Sequence, residues 1–217
     1  MKKIITISRE YGSGGHSIGK MVADLLNVPF YDKEIIDMSA KDSGLSPDFI
    51  RNTEQNLSSG LLYTLLLGAS YAAPGTGSGM TTNPPPAGLN PPLADQVFNA
   101  QRRVIISLAQ KGPCVIVGRC ADYILSQCPD INTEDVLNVF IYAPLKDKVS
   151  RAISQKGLDP ATAEKDVKLI DKRRANHYNT FTEQTWGKRN HYDLLINSSL
   201  FGLEKTAEFI VEAVKRT

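Results

Sequence analysis

Apolar residues fall into five short runs along this chain, separated by stretches with helical spacing. Ile4–Ser8 is the first run and Pro29–Tyr31 a short second. Cys114–Gly118 (CVIVG), Val136–Ala143 (VLNVFIYA) and Tyr192–Asn197 (YDLLIN) follow. The first, third and fourth are almost continuously apolar, as strands covered on both faces are. Strands alternating with helices predict a parallel sheet between helical layers, joined by right-handed crossovers. Helical patterns are expected from His16 to about Asn27, over Asp95–Lys111 and from about Leu203 to Arg216, with two short ones between Ser46 and Leu67. The stretch Asp159–Thr182 is polar and carries Lys172, Arg173 and Arg174 in a row. Such a run is either a solvated face or, from its place before the last strand, a lid over a phosphate site.

Gly68–Ala94 interrupts the pattern, with six of the chain's 12 prolines and five of its 16 glycines. It fits no packed element and predicts an inserted mobile loop, as a bare surface excursion or as a flap over a substrate. The 217 residues suit a single domain. Its core would be 1–42, 95–150 and 190–217, its insertion about 43–94 and its lid about 151–189.

A composition of 41% hydrophobic and 22% charged residues supports a packed core. A net charge of +2, from 25 basic and 23 acidic residues, is too balanced for nucleic acid as the main partner. The opening apolar run is too short for a signal peptide, and no stretch approaches a membrane span. Cys114, Cys120 and Cys128 match no zinc spacing and read as reduced thiols. A cytoplasmic protein is expected, with no membrane partner; homo-oligomerisation is left open.

Between the first strand and first helix lies a loop rich in Gly and Ser, REYGSGGHS. Backbone N–H groups and a helix N-terminus in this layout cradle an anion. A literal phosphate-loop pattern, Gly14-x-x-x-x-Gly19-Lys20, would leave barely two helical turns before Pro29. The apolar positions Ile18, Val22, Leu25 and Leu26 instead start the helix near His16, so the loop is Arg9–Gly15. In that register Gly15 stands where the phosphate-bridging lysine belongs, and Ser17 supplies the hydroxyl that reaches Mg²⁺. The missing charge could come from Arg9, His16 or Lys20; Arg9 reads equally well as a surface ion pair with Glu10. Gly12-x-Gly14-x-x-Ser17 is also a near-miss on a dinucleotide fingerprint, with Asp32 at the end of strand two. Asp32 could equally cap the next helix.

Gly118-Arg119 puts an arginine at the carboxyl edge of the sheet, where open α/β folds bind ligands. Asp122 either caps a helix or orients Arg119. Lys148 and Arg151 share a helix face, and Arg173 and Arg174 follow.

Together these pieces resemble the cytidylate kinase-like branch of the P-loop nucleoside monophosphate kinases. The matching stretches are ITISREYGSGGHSIG, VPFYDKEII, VIVGRCAD, FIYAPLKDKVSRA and YDLLINSS. The resemblance implies an α/β P-loop NTPase three-layer sandwich, with a five-stranded parallel sheet in the order 2-3-1-4-5 and a helical lid. Gly12, Ser13, Gly14, Gly15, His16 and Ser17 would form the triphosphate loop, with Arg9 beside them and Ser17 facing the metal. Arg119 would grip the acceptor monophosphate, with Asp32 and Asp122 on the same side. Arg151 and Arg173 look like lid arginines that close on the transferring phosphoryl. Two features depart from the family: Gly15 replaces the loop lysine, and His177 and Thr180 stand where a lid Asp and Arg are usual. The expected function is phosphoryl transfer from ATP, with Mg²⁺, to a CMP-like nucleoside monophosphate or another small phosphorylated acceptor. The alternatives are a nucleotide-binding regulatory module without phosphoryl transfer and, third, a dinucleotide-dependent enzyme.

Overall fold

Alternation inside the apolar runs decides which layer each strand residue joins. In the computed structural model, which describes residues 3–56 and 93–216, the strands are β1 (Ile4–Arg9), β2 (Phe30–Tyr31), β3 (Cys114–Val117), β4 (Val136–Tyr142) and β5 (Leu194–Asn197). They pair in parallel in the order β2-β3-β1-β4-β5, the order expected. The helices of the described residues are α1 (Gly15–Leu26), α2 (Glu34–Ser43), α3 (Pro47–Asn56), α4 (Leu93–Gln110), α5 (Ala121–Ser126), α6 (Leu145–Lys156), α7 (Ala163–Thr182), the single turn α8 (Ser198–Phe201) and α9 (Leu203–Arg216).

Ile5, Ile7, Val115, Val117, Val139 and Ile141 point to one side of the sheet, where Ile18 and Val22 of α1 and Ile210 and Val214 of α9 meet them. Ile4, Cys114, Ile116 and Val136 point to the other, against Ile105 and Leu108 of α4 and Ile124 and Leu125 of α5. Each such aliphatic side chain contributes about 1.5–3 kcal/mol when fully withdrawn from water. A third cluster, around Ile36, Ile50 and Val97, ties α2, α3 and α4 together.

Element limits differ from the sequence expectation where a tertiary contact decides them. β1 extends to Arg9, which pairs in register with Ile141; Arg9 is thus a strand residue, not the first residue of the loop. β5 starts only at Leu194, because Tyr192 turns inward against Phe140, with ring centroids 5.0 Å apart. Leu25, expected in the core, is 55% exposed. The core face of α1 combines the expected Ile18 and Val22 with small residues at fourfold spacing, Gly15, Gly19 and Ala23, all buried. A Cβ at Gly19 would come within 3.0 Å of Val117 Cγ2, so glycine there lets α1 lie close on the sheet. The expected mobile loop lies outside the described residues except for Leu93 and Ala94, which open α4.

The three cysteines are free and buried. Burial pushes the Cys114 thiol up to about 11 and the Cys120 thiol well above the usual value, which keeps both protonated at neutral pH. Among the described residues no helix is long and apolar enough to cross a membrane.

Candidate functional site

β1 delivers the chain to the carboxyl edge of the sheet, and the loop turns back on two glycines with positive φ, Gly12 at 75° and Gly14 at 83°. Both are also pressed by neighbours: a Cβ at Gly12 would overlap the Lys148 carbonyl, and one at Gly14 would overlap a Leu203 methyl. Only glycine meets both demands. Ser13 is fully buried; its hydroxyl donates to the Glu10 carbonyl at 2.8 Å, and its own carbonyl accepts from Ser198 Oγ at 2.6 Å.

Gly15, His16 and Ser17 open α1, which has no side-chain cap and no acidic residue in its first turn. Its leading N–H groups and positive dipole end therefore meet no side-chain acceptor from the cap and no acid of the helix's own first turn. That is the electrostatic requirement for holding an anion.

The loop is clamped from outside. Lys148 on α6 is buried between Glu10 (2.9 Å) and Asp171 (2.8 Å). Burial alone would lower its pKa, but hydrogen bonds from the ammonium to these two carboxylates hold it above the usual lysine range. Asp171 on α7 also accepts the Tyr11 N–H at 2.6 Å. Arg151 donates to the Gly12 carbonyl at 3.1 Å and to Ser199 Oγ at 3.0 Å. Arg174 donates to the Arg9 carbonyl at 2.9 Å, with its guanidinium 5.5 Å from the centroid of the Tyr11 ring.

Inside this frame Asp32 gathers positive charge. Its Oδ1 accepts from Arg119 Nη1 at 3.1 Å and, more loosely, from Arg9 Nη2 at 3.4 Å; its Oδ2 meets His16 Nδ1 at 2.6 Å. Burial would raise the Asp32 carboxyl, but Arg9 and Arg119 hold it below the usual carboxylate range. Arg119 also donates from Nε to Glu54 at 3.0 Å, and Glu54 is fixed in turn by the buried Gln101. Three consecutive residues after β3 lie in the left-handed region: Gly118 at 77°, Arg119 at 55° and Cys120 at 54°. The two that are not glycine cost roughly 1–2 kcal/mol each, and the turn brings Arg119 back over the strand ends.

Between these strand ends and α7 lies a cavity of about 480 Å³. Arg9, Arg119, Arg173, Arg174 and His177 bring positive or protonatable groups to its wall, while Trp186 and Ile170 supply apolar surface. Arg173 Nε and His177 Nδ1 are shielded from solvent and have no hydrogen-bond partner among the described residues. Burial lowers the His177 pKa, so its imidazole is neutral at pH 7.

The structure thus brings Arg9, Asp32, Arg119 and His16 into one network, and sets Arg173 across the cavity from it. Gly12, Ser13, Gly14, Gly15 and the half-buried Ser17 lie along the loop and the start of α1. Arg151 binds the outer side of that loop. Asp122 does not line the cavity; it is buried beneath α7, where it accepts from Tyr178 at 2.8 Å. Asp32 does not cap α2, whose start has no side-chain cap, and Glu10 pairs with Lys148 instead of Arg9.

Glu54 and Asp171 were not among the sequence candidates. For Asp171 the requirement appears only once the fold buries Lys148 against the loop, because a buried ammonium requires acids. For Glu54, inside the 43–94 insertion, no spacing pattern points to Arg119.

A search of curated protein sequences finds no match. Among solved structures, a protein from Eubacterium ventriosum described as uncharacterized is 26% identical with a TM-score of 0.68, over 100% of both chains. Shikimate kinase from Acinetobacter baumannii, solved with shikimate, is 12% identical with a TM-score of 0.50, over 100% of this chain and 94% of that one. Shikimate kinase from Bacteroides thetaiotaomicron is 15% identical with a TM-score of 0.50, over 98% of each. At these identities the two shikimate kinases establish likeness of fold alone. The profile of the cytidylate kinase-like family matches residues 4–200, nearly the whole chain. The chain belongs to the cytidylate kinase-like family.

Proposed function

We propose that this protein is an ATP-dependent phosphotransferase whose acceptor is a small phosphorylated molecule, a CMP-like nucleoside monophosphate being the first class to test. One observation carries the reading. A cavity walled by Arg119, Arg173 and Arg174 adjoins the glycine turn that leads into a helix N-terminus with no side-chain cap and no acid in its own first turn. Two anion sites side by side at the carboxyl edge of a parallel sheet suit a donor triphosphate and an acceptor phosphate.

In the reaction an acceptor oxygen bonds to the γ-phosphorus of ATP, the bond from that phosphorus to the β–γ bridging oxygen breaks, and ADP leaves with that electron pair. The chain's contribution is positioning and charge neutralisation, with no covalent protein intermediate. The amides of Gly14–Ser17 would hold the β-phosphate. Arg173, whose buried Nε has no hydrogen-bond partner among the described residues, is the cation best placed to meet charge on the phosphoryl in flight. Arg119, committed to Asp32 and Glu54, would hold the acceptor phosphate while keeping that network intact. Mg²⁺, when bound, would offset charge on the β and γ oxygens. Ser17, on the first turn of α1, is the residue that would hold it, with phosphate oxygens and water supplying the other ligands.

A second reading, nucleotide binding without transfer, is favoured by Gly15 at the lysine position. The dinucleotide reading loses its main support, because the carboxylate of Asp32 is engaged by two arginines and a histidine. Incubation with ATP, Mg²⁺ and a panel of monophosphates tests the proposal. Acceptor-dependent ADP supports transfer, and saturable ATP binding without it supports the second reading.

A further inference from the structure

Relative to the pattern G-x-x-x-x-G-K, this loop departs at both ends: Arg9 stands at the first glycine and Gly15 at the lysine. The structure couples the two. The stem of Arg9 runs across Gly15, where a Cβ would lie 2.5 Å from Arg9 Cβ and 2.9 Å from Arg9 Cγ. Residue 15 therefore cannot carry a side chain while residue 9 is arginine. Further out, a Cβ at Gly118 would overlap Arg9 Nη1. The two glycines form a sleeve around one side chain, which leads its guanidinium to the cavity wall.

That guanidinium is poorly partnered. Its bond to Asp32 is 3.4 Å long, while Asp32 makes closer contacts with Arg119 at 3.1 Å and His16 at 2.6 Å. The side chain is only 18% exposed, and Arg174 and Arg119 lie near it. Burial and these neighbours push its pKa down to about 9, as expected of a buried cation that lacks a full counter-charge. A bound phosphate would supply that charge.

We infer that Arg9 and Gly15 are a single exchange: Arg9, threaded between Gly15 and Gly118, takes the place of the loop lysine and binds the terminal phosphates of ATP from the strand side. The inference rests on the proposed ATP-binding function and deepens it. It assigns the donor-phosphate cation to Arg9, leaving Arg173 to the phosphoryl in flight and Arg119 to the acceptor phosphate.

The test is calorimetric titration of the full chain with ATP and Mg²⁺, alongside thermal unfolding. Arg9→Gly should weaken ATP binding on the order of ten- to a hundredfold, the scale of one lost charge-assisted contact. Gly15→Lys alone should also weaken it, because the lysine stem meets Arg9. The double variant R9G/G15K writes the ordinary lysine pattern into the loop and should recover affinity to within about threefold of wild type, a rescue that loss of strand stability alone cannot produce. Should Arg9→Gly fail to fold, Gly118→Ala, which keeps Arg9 but intrudes on its guanidinium, should weaken ATP binding likewise. Unchanged affinity in whichever of these two variants folds, or a double variant no better than Arg9→Gly, would overturn the inference alone. A wild-type chain that binds no ATP would overturn the parent reading and the inference with it.

Discussion

Asp32 is the residue on which the charge balance of the site turns. Its side chain is 7% exposed and touches Arg9, Arg119 and His16. Because its folded-state pKa lies below the unfolded value of 3.8, its contribution to stability is complete above that pH and is lost as pH falls through the folded-state pKa. Asp32→Asn should cost about 3–5 kcal/mol near neutrality, as breaking a buried pair does. The gap between wild type and variant, followed by denaturant unfolding against pH, should narrow below about pH 4; a gap that widened there would contradict the assignment. Arg173 poses the complementary case, since no ion pair among the described residues holds it. Arg173→Ala should lower phosphoryl transfer by about 10²–10³ while leaving the unfolding midpoint nearly unchanged. Arg119→Ala cannot separate these effects, because it also strips Asp32 and Glu54 of their partner. At this scale the sequence showed which residue types were present and where the backbone must turn, at Gly12 and Gly14. It did not show where Arg9 points, nor that Arg119 meets Glu54 across 65 positions and Tyr11 meets Asp171 across 160. Such pairings are set by the fold, not by local spacing.

α7 is where element-level reasoning from sequence was least decisive. Its residues alternate charge with no broad apolar stripe, a pattern that ordinarily means a solvated surface. The helix is polar because much of what it faces is charged: Asp171 meets Lys148 and the Tyr11 amide, Arg174 meets the Arg9 carbonyl, and Arg173 and His177 face the cavity. Only Val167, Tyr178 and a few neighbours dock it through buried contacts. Asp171→Ala should loosen this closure. It leaves the Tyr11 N–H without its acceptor and Lys148 with Glu10 alone, at a cost of about 1–3 kcal/mol. Amide hydrogen exchange at Tyr11 should then speed markedly while exchange in the central strands β1 and β4 keeps its order of protection; unchanged exchange at Tyr11 would argue against the latch. The strands were far more legible. Burial on both faces makes an apolar run visible without any partner, and only edge strand β5 shortened appreciably, where its first residues left the ladder to pack against Phe140 and to bond Asn138.

At the scale of the whole molecule, the order β2-β3-β1-β4-β5 places β1 at the centre, with β3 and β4 on either side. Residues from positions 9, 32, 119 and 173 therefore converge at one sheet edge under one helix. This convergence was legible only as a set, since each motif alone suits several folds and their order suits few. The acceptor was not legible, because the 43–94 segment matches no motif and most of it lies outside the described residues. The central claim is that this convergence transfers a phosphoryl group, and direct detection of its products tests it best. With purified protein, ATP, Mg²⁺ and one monophosphate at a time, phosphorus NMR should register ADP together with a new diphosphate only when a matching acceptor is present, and Arg173→Ala should suppress both signals. ADP formation that no acceptor increases, in a chain that demonstrably binds ATP, would contradict the account and leave a nucleotide-binding module in its place.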